Sequence, residues 1–185
     1  MTPRPSSIQA LPASAWKNGQ GMTRPVAEAP GWRVSIATID RSCAYSAYPG
    51  LQRQQALLSG AGLELVLPTR ERMQLACAGR VLSFSGAVPL DCQLLGGTVT
   101  VLNIMFAPDS FPDAAIRSAT TTFFPNAGAD TVIVPVRGSW RAVCANNTVH
   151  HVATGEILRG AVLYIAPLPG PGLQSALCYV ASSCM

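Results

Sequence analysis

Val99-Thr100-Val101-Leu102-Asn103-Ile104-Met105-Phe106 is apolar at odd and even positions alike. Successive strand side chains point to opposite faces, so a run that is apolar on both belongs to a central strand between packed layers. On either side of it, short segments of related character recur between turn signals. Trp32, Val34 and Ile36 alternate with Arg33, Ser35 and Ala37, which gives a strand with one aromatic–aliphatic face and one polar or small face. Leu63-Glu64-Leu65-Val66-Leu67 stops at Pro68. Later strands are expected at 131–134, 143–145, 160–165 and 176–180. No segment carries the 3.6-residue stripe and caps of a substantial helix, and 112–118 has room for one short helical turn. The fold class is all-β.

Composition agrees. Hydrophobic residues make up 49% and charged residues 12%, about half the usual share of charge, as in a well-buried β-rich protein. The 185 residues suit one large domain or two small lobes sharing a core. The net charge of +4 reflects a shortage of acids more than an excess of bases, so neither nucleic acid nor a membrane surface is an expected partner. No apolar run approaches membrane-spanning length, and Met1 to Ser7 leads into no apolar signal region, so a cytoplasmic location is expected. The cysteines Cys43, Cys77, Cys92, Cys144, Cys178 and Cys184 are widely spaced and form no CxxC pair. Free, inert thiols in a reducing compartment are expected, with Cys184 exposed and oxidisable near the terminus.

The chain also echoes itself. Ala56-Leu57-Leu58-Ser59-Gly60 resembles Val134-Pro135-Val136-Arg137-Gly138, each an apolar strand ending at glycine. The runs Val81-Leu82-Ser83-Phe84-Ser85-Gly86 and Val162-Leu163-Tyr164-Ile165-Ala166-Pro167 read as the next matching pair in order. Each half then ends in an apolar strand, around Val101 or Leu177. Copies roughly eighty residues apart read as two barrels or jelly rolls, with lobes at about 14–110 and 111–185.

Functional chemistry concentrates in the first half. Lys17 is the only lysine, within Trp16-Lys17-Asn18-Gly19-Gln20-Gly21-Met22-Thr23-Arg24, and every other cationic side chain is an arginine. Downstream lies Tyr45-Ser46-Ala47-Tyr48-Pro49-Gly50-Leu51-Gln52-Arg53. Cations and hydroxyls beside aromatics are what a small pocket for an anion needs. Lys17, Arg24 and Arg53 are expected to neutralise the anion, and Asn18, Ser46 and Asn103 to hydrogen-bond it. Trp16 and Tyr48 are expected as apolar walls, while Arg33 either joins the site or faces solvent. Arginine grips a carboxylate through parallel bonds, whereas lysine acts as a point charge. The plainer alternative for this constellation is a set of turn glycines, a core tryptophan and solvated bases. Enzyme signatures are lacking. His150 and His151 are adjacent, so a strand sends them to opposite faces, and no Cys or carboxylate cluster flanks them at metal-ligand spacing. No catalytic residue, metal or cofactor is assigned.

The blocks Trp16-Lys17-Asn18-Gly19-x-Gly21-x-Thr23-Arg24, Trp32-Arg33-x-Ser35-Ile36-Ala37 and Tyr45-Ser46-x-Tyr48-Pro49-Gly50-x-x-Arg53 resemble, in order, those of the HutD/Ves family. Leu58-x-Gly60 and Leu102-Asn103-Ile104-Met105 extend the resemblance, which covers about residues 14 to 106. It implies a cupin-type fold with two barrel-like lobes in one chain, a bicupin. For the HutD branch it also implies a link to histidine utilisation, through binding of a formylglutamate- or urocanate-like metabolite. Two positions depart from the family pattern, with Pro25 and Val101 standing where an acid is usual. Loss of those acids is expected to strengthen the field of Lys17 and the arginines. Metal-binding cupins use a His-x-His and Glu arrangement that neither half contains, so a metal-free pocket is expected.

The reading is therefore a metal-independent binder of a small anionic metabolite, acting as a sensor or regulator; a homodimer is compatible with it. The alternative is a metal-independent cupin isomerase or lyase acting on a sugar or amino-acid derivative.

Overall fold

The computed structural model describes residues 3–170 and 176–183. Cys184, and with it the expectation of an oxidisable terminal thiol, lies outside them. Among the described residues the chain is built of strands with a single 3-10 turn at Ile8–Ala10, and no helix is long and apolar enough to cross a membrane.

The strands divide between two compact units, one formed by Pro12–Pro112 and the other by Met1–Leu11 with Asp113–Met185. In chain order they begin with β1 (Ser6–Ser7), β2 (Ser14–Ala15), β3 (Gly21–Ala29), β4 (Trp32–Ile39), β5 (Cys43–Ala44) and β6 (Gln52–Ser59). Next come β7 (Leu63–Val66), β8 (Arg72–Leu75), β9 (Val81–Ser85), β10 (Asp91–Leu94), β11 (Val99–Phe106) and β12 (Ala115–Ala119). The chain continues with β13 (Asp130–Arg137), β14 (Ser139–Cys144), β15 (Val149–Ala153), β16 (Glu156–Gly160), β17 (Val162–Pro167) and β18 (Leu177–Ser183).

Unit 12–112 has a 6-stranded sheet, β2-β3-β4-β11-β6-β9, and a 4-stranded sheet, β5-β10-β7-β8. The opening octapeptide is β11, central as expected, with Val99, Val101, Leu102 and Ile104 all fully buried. Its Val99 and Val101 face a core shared by both sheets, with Ile39, Leu57, Leu63, Leu65, Leu75 and Cys92.

The second unit repeats this plan with a 5-stranded sheet, β1-β16-β13-β18-β12, and a 3-stranded sheet, β15-β14-β17. Its order β12-β18-β13-β16 matches β4-β11-β6-β9, and β17-β14-β15 matches β10-β7-β8. Register confirms the match. The ladder of β6 with β11 skips Leu58, two residues before Gly60, and that of β13 with β18 skips Val136, two residues before Gly138. Each bulge lets the strand turn sharply into a glycine at positive φ, +96° at Gly60 and +76° at Gly138. The echo read from 56–60 and 134–138 thus falls on equivalent positions.

Two expectations need correction. The counterpart of Val81–Ser85 is Glu156–Gly160, because both flank the bulged strand, whereas Val162–Pro167 matches Asp91–Leu94. Alternating hydrophobicity marks a strand but not its neighbours, so it does not fix which strands of the two units correspond. Residues 112–118 hold a turn at 112–113 but no helix, and most of the stretch is β12, which pairs with β18 from Ala115 to Ala119. Ile116 and Ala119 are buried there.

Cys43, Cys92, Cys144 and Cys178 are free and buried, and Cys77 is free and exposed.

Candidate functional site

The open end of unit 12–112 is floored by β4, β11 and β6, whose register lines side chains up in rows. Ala37, Val101 and Leu57 form one row, Ser35, Asn103 and Gln55 the next, and Arg33, Met105 and Arg53 the third. The first row belongs to the hydrophobic core. The other two rows line a cavity of about 540 Å³, whose walls come from Ser14, Ala15, Trp16, Lys17, Asn18, Thr23, Ala44, Tyr45, Ser46 and Tyr48. A volume of this size suits a small metabolite.

In the second unit the corresponding rows are Arg117, Val180, Ile133 and Ala115, Ser182, Thr131. Val180 and Ile133 are fully buried there and pack into its core. Where one unit fills its middle row with aliphatic groups, the other places Asn103 and Gln55, and the hollow opens above them.

Local sequence sets the walls. The β2–β3 turn closes with the Trp16 amide donating to the Gly21 carbonyl (2.9 Å) and the Gly19 amide donating to the Trp16 carbonyl (3.0 Å). The Asn18 side chain accepts from the Gln20 amide at 3.0 Å, an Asx turn. A Cβ at Gly21 would stand 2.6 Å from the Thr38 carbonyl and 3.2 Å from the Trp16 ring, so the glycine lets the indole lie flat against the strand. Its Nε1 donates to Thr23 Oγ1 at 2.8 Å, and its ring meets Tyr45 edge-on with centroids 6.4 Å apart. Opposite, Tyr48-Pro49-Gly50-Leu51 forms a turn in which the Leu51 amide donates to the Tyr48 carbonyl, and the Tyr48 amide donates to the Gly86 carbonyl at 2.6 Å.

Arg53 is only 7% exposed. Its guanidinium carbon lies 5.1 Å from the ring centroids of Tyr45 and Phe84 and 5.5 Å from that of Tyr48. Nη1 donates to the Ser46 carbonyl at 3.3 Å, and Nε is buried without a partner. No carboxylate pairs with it among the described residues. Burial therefore pushes its pKa below the usual arginine value, while the Tyr45 and Tyr48 phenols push the other way. Arg33, half-buried, likewise has a buried Nε without a partner. Gln55 Nε2 donates to Asn103 Oδ1 at 2.6 Å and to the Tyr45 hydroxyl at 3.2 Å, which satisfies Asn103 inside an apolar strand. Burial, followed by the charge on Cys92, raises the Tyr45 pKa well above its ordinary value, so the phenol stays protonated.

Of the residues expected from sequence, Trp16, Lys17, Asn18, Ser46, Tyr48, Arg53 and Asn103 line the cavity. Arg24 does not. Thr23 lines the cavity, so β3 alternation turns Arg24 to the opposite face, where its Nη1 lies 3.0 Å from Met22 Sδ. Arg33 occupies the cavity instead. The Ser46 contact to Arg53 runs through its backbone carbonyl, not its hydroxyl. Val101 is fully buried in the core and Pro25 sits at a bulge in the β3–β4 ladder, so neither position lines the cavity. Their missing acids therefore leave the cavity lining itself unchanged. Gln55, Tyr45 and Met105 carry no expectation from sequence; register sets Gln55 beside Asn103 and Met105 in the next row, and Tyr45 joins them through its hydroxyl on Gln55. His150 and His151 lie on β15 in the other unit, the first half-buried and the second exposed. Among the described residues, no group of three or more His, Cys, Asp or Glu side chains stands close enough to hold a metal ion.

The HutD family model matches residues 8–162, all of unit 12–112 and part of the other unit. The chain belongs to the HutD family. An uncharacterised 21.2 kDa protein in the hutC 3′ region of Pseudomonas putida is 33% identical over 56% of this chain and 57% of its own length. The chain thus spans little more than half of that relative. Protein Ves of Citrobacter koseri is 30% identical over 72% of this chain and 73% of its own. Among solved structures, a conserved protein of unknown function from Pseudomonas aeruginosa PAO1 superposes with a TM-score of 0.81 at 24% identity, each chain fully covered. HutD from Pseudomonas fluorescens SBW25 gives 0.78 at 20% identity, again with full coverage of both chains. A cupin 2 conserved barrel domain protein from Leptotrichia buccalis gives 0.64 at 11%, covering 98% of this chain and 96% of its own. The fold of this HutD-family chain is thus all-β and cupin-like.

Proposed function

We propose that the cavity of unit 12–112 binds a small carboxylated metabolite, and that the protein acts by binding it rather than by turning it over. One observation carries this reading: the lining contains Lys17, Arg33 and Arg53 but no Asp or Glu. Two of these cations have buried Nε atoms without partners. A buried cation without a counter-ion costs free energy that an incoming anion recovers, and arginine offers it a fork of parallel donors. Binding without turnover is favoured by the absence of His, Cys, Asp and Glu from the lining, and by the burial that keeps the Tyr45 phenol protonated. The family, and the hutC 3′ region from which the Pseudomonas putida relative takes its description, favour a formylglutamate- or urocanate-like ligand in histidine utilisation.

The test is a thermal-shift screen of the purified protein against formylglutamate, urocanate, glutamate and sugar acids. A ligand present at about 100 times its Kd stabilises the folded state by roughly 2.7 kcal/mol, a readily visible shift. The shift is expected in the parent and absent in Arg53→Met. No shift with any carboxylate overturns the reading, and product formed from a bound compound replaces it with an enzyme.

A further inference from the structure

We infer that the cavity selects ligands carrying two anionic ends, held by Arg53 and Arg33, with Met105 as the spacer between them. This rests on the anion-binding reading and narrows it. Arg33, Met105 and Arg53 form a single row across β4, β11 and β6, each opposite its neighbour. Two strand spacings place the backbones of the arginines about 9.6 Å apart. Arginine side chains rooted there, one on either side of Met105, can each take a separate carboxylate.

Both anchors are unspent. Arg33 has no hydrogen-bond or carboxylate partner among the described residues, and Arg53 gives one hydrogen bond to a carbonyl. The surroundings of each set the order of their action. Arg53 is fixed by the Tyr45, Tyr48 and Phe84 rings and grips the first carboxylate in a set geometry. Arg33, half-buried and without a ring against it, is free to adjust to the second. Between them Met105 offers a flexible apolar surface to the hydrocarbon portion of a ligand. The adjacent row of Ser35, Asn103 and Gln55 offers polar groups to whatever the ligand carries between its carboxylates. A monoanion of the same size would leave one guanidinium buried opposite a neutral group, which is how an unpaired site group discriminates.

Calorimetric titration with N-formylglutamate and with N-formylglutamine, its side-chain amide, isolates the second charge in nearly the same shape. In the parent protein the dicarboxylate is expected to bind at least tenfold more tightly. In Arg33→Met that preference is expected to fall to about unity. Equal affinities in the parent, or urocanate binding as tightly as the dicarboxylate, overturn the two-anchor inference while leaving the anion pocket standing. A preference that survives Arg33→Met overturns the role of Arg33. Failure of every carboxylate to bind removes the pocket reading itself. The parent comparison decides the matter even if the variant folds poorly.

Discussion

Arg53 shows how a residue built for binding differs from one built for stability. Three rings and a carbonyl hold its guanidinium, yet no carboxylate among the described residues offsets the desolvation of its charge. Cation–ring contacts contribute about 0.5–2 kcal/mol each, and burial of an unpaired charge costs several. Arg53→Met keeps much of the stem volume and removes the charge. Its ligand-free stability, read by urea denaturation, is therefore expected within about 1 kcal/mol of the parent or above it, while ligand binding is lost. A loss above about 2 kcal/mol would instead make Arg53 part of the framework. Gly21 behaves in the opposite way. Gly21→Ala would drive a methyl to 2.6 Å from the Thr38 carbonyl and against the Trp16 ring. It is expected to cost about 1–3 kcal/mol and to change Trp16 fluorescence. The sequence exposed both residues because their neighbours were unusual, aromatics around one and a second glycine near the other. Arg24 falls on the face opposite Thr23 by plain alternation, the β3 bulge lying beyond it, and which of those faces meets the cavity is not written in either residue.

At the level of strands, the central octapeptide and most of its partners could be read directly, since burial on both faces leaves a continuous apolar run. Pairing could not. The chemistry of the site is a property of pairing: Gln55 gains its role only from lying opposite Asn103, and Asn103 from lying opposite Ser35. The second unit performs the matching experiment naturally, with Ile133 and Val180 at the places of Gln55 and Asn103. Importing them as Gln55→Ile with Asn103→Val removes both partners of a buried hydrogen bond together. That exchange is near neutral, whereas Asn103→Val alone leaves the Gln55 amide with only the Tyr45 hydroxyl and costs about 1–3 kcal/mol. A double-mutant cycle by urea denaturation is expected to show strong coupling, with the double variant at least as stable as the single and unable to bind ligand. Additive effects would mean that the amide pair does not act as a unit.

Across the whole molecule, stability rests on apolar packing far more than on charge, as the only two ion pairs among the described residues, Arg72–Glu64 and Arg159–Asp130, are at the surface. That packing carries a pH signature. Burial raises the thiol pKa of Cys43, Cys92, Cys144 and Cys178, two in each unit, and it raises that of the Tyr45 phenol as well. For Cys92 the rise is from 9.0 to about 11, with burial the chief cause. Between those values the unfolded chain has released its proton and the folded chain has not. The unfolded state then binds fewer protons, so stability falls as pH rises, by about 1.4 kcal/mol per pH unit for one group. The contribution is complete below about pH 9 and, for Cys92, of order 3 kcal/mol has been lost by pH 11. The other raised groups act in the same direction. Urea midpoints are therefore expected to hold steady from pH 7 to 8.5 and to drop steeply above pH 9. Cys92→Ala, at some cost in packing, is expected to flatten that drop by about one proton's worth. A midpoint unchanged to pH 10.5 would mean that these thiols reach water in the folded state, and that the core around Cys92 beneath the cavity is looser than its packing implies.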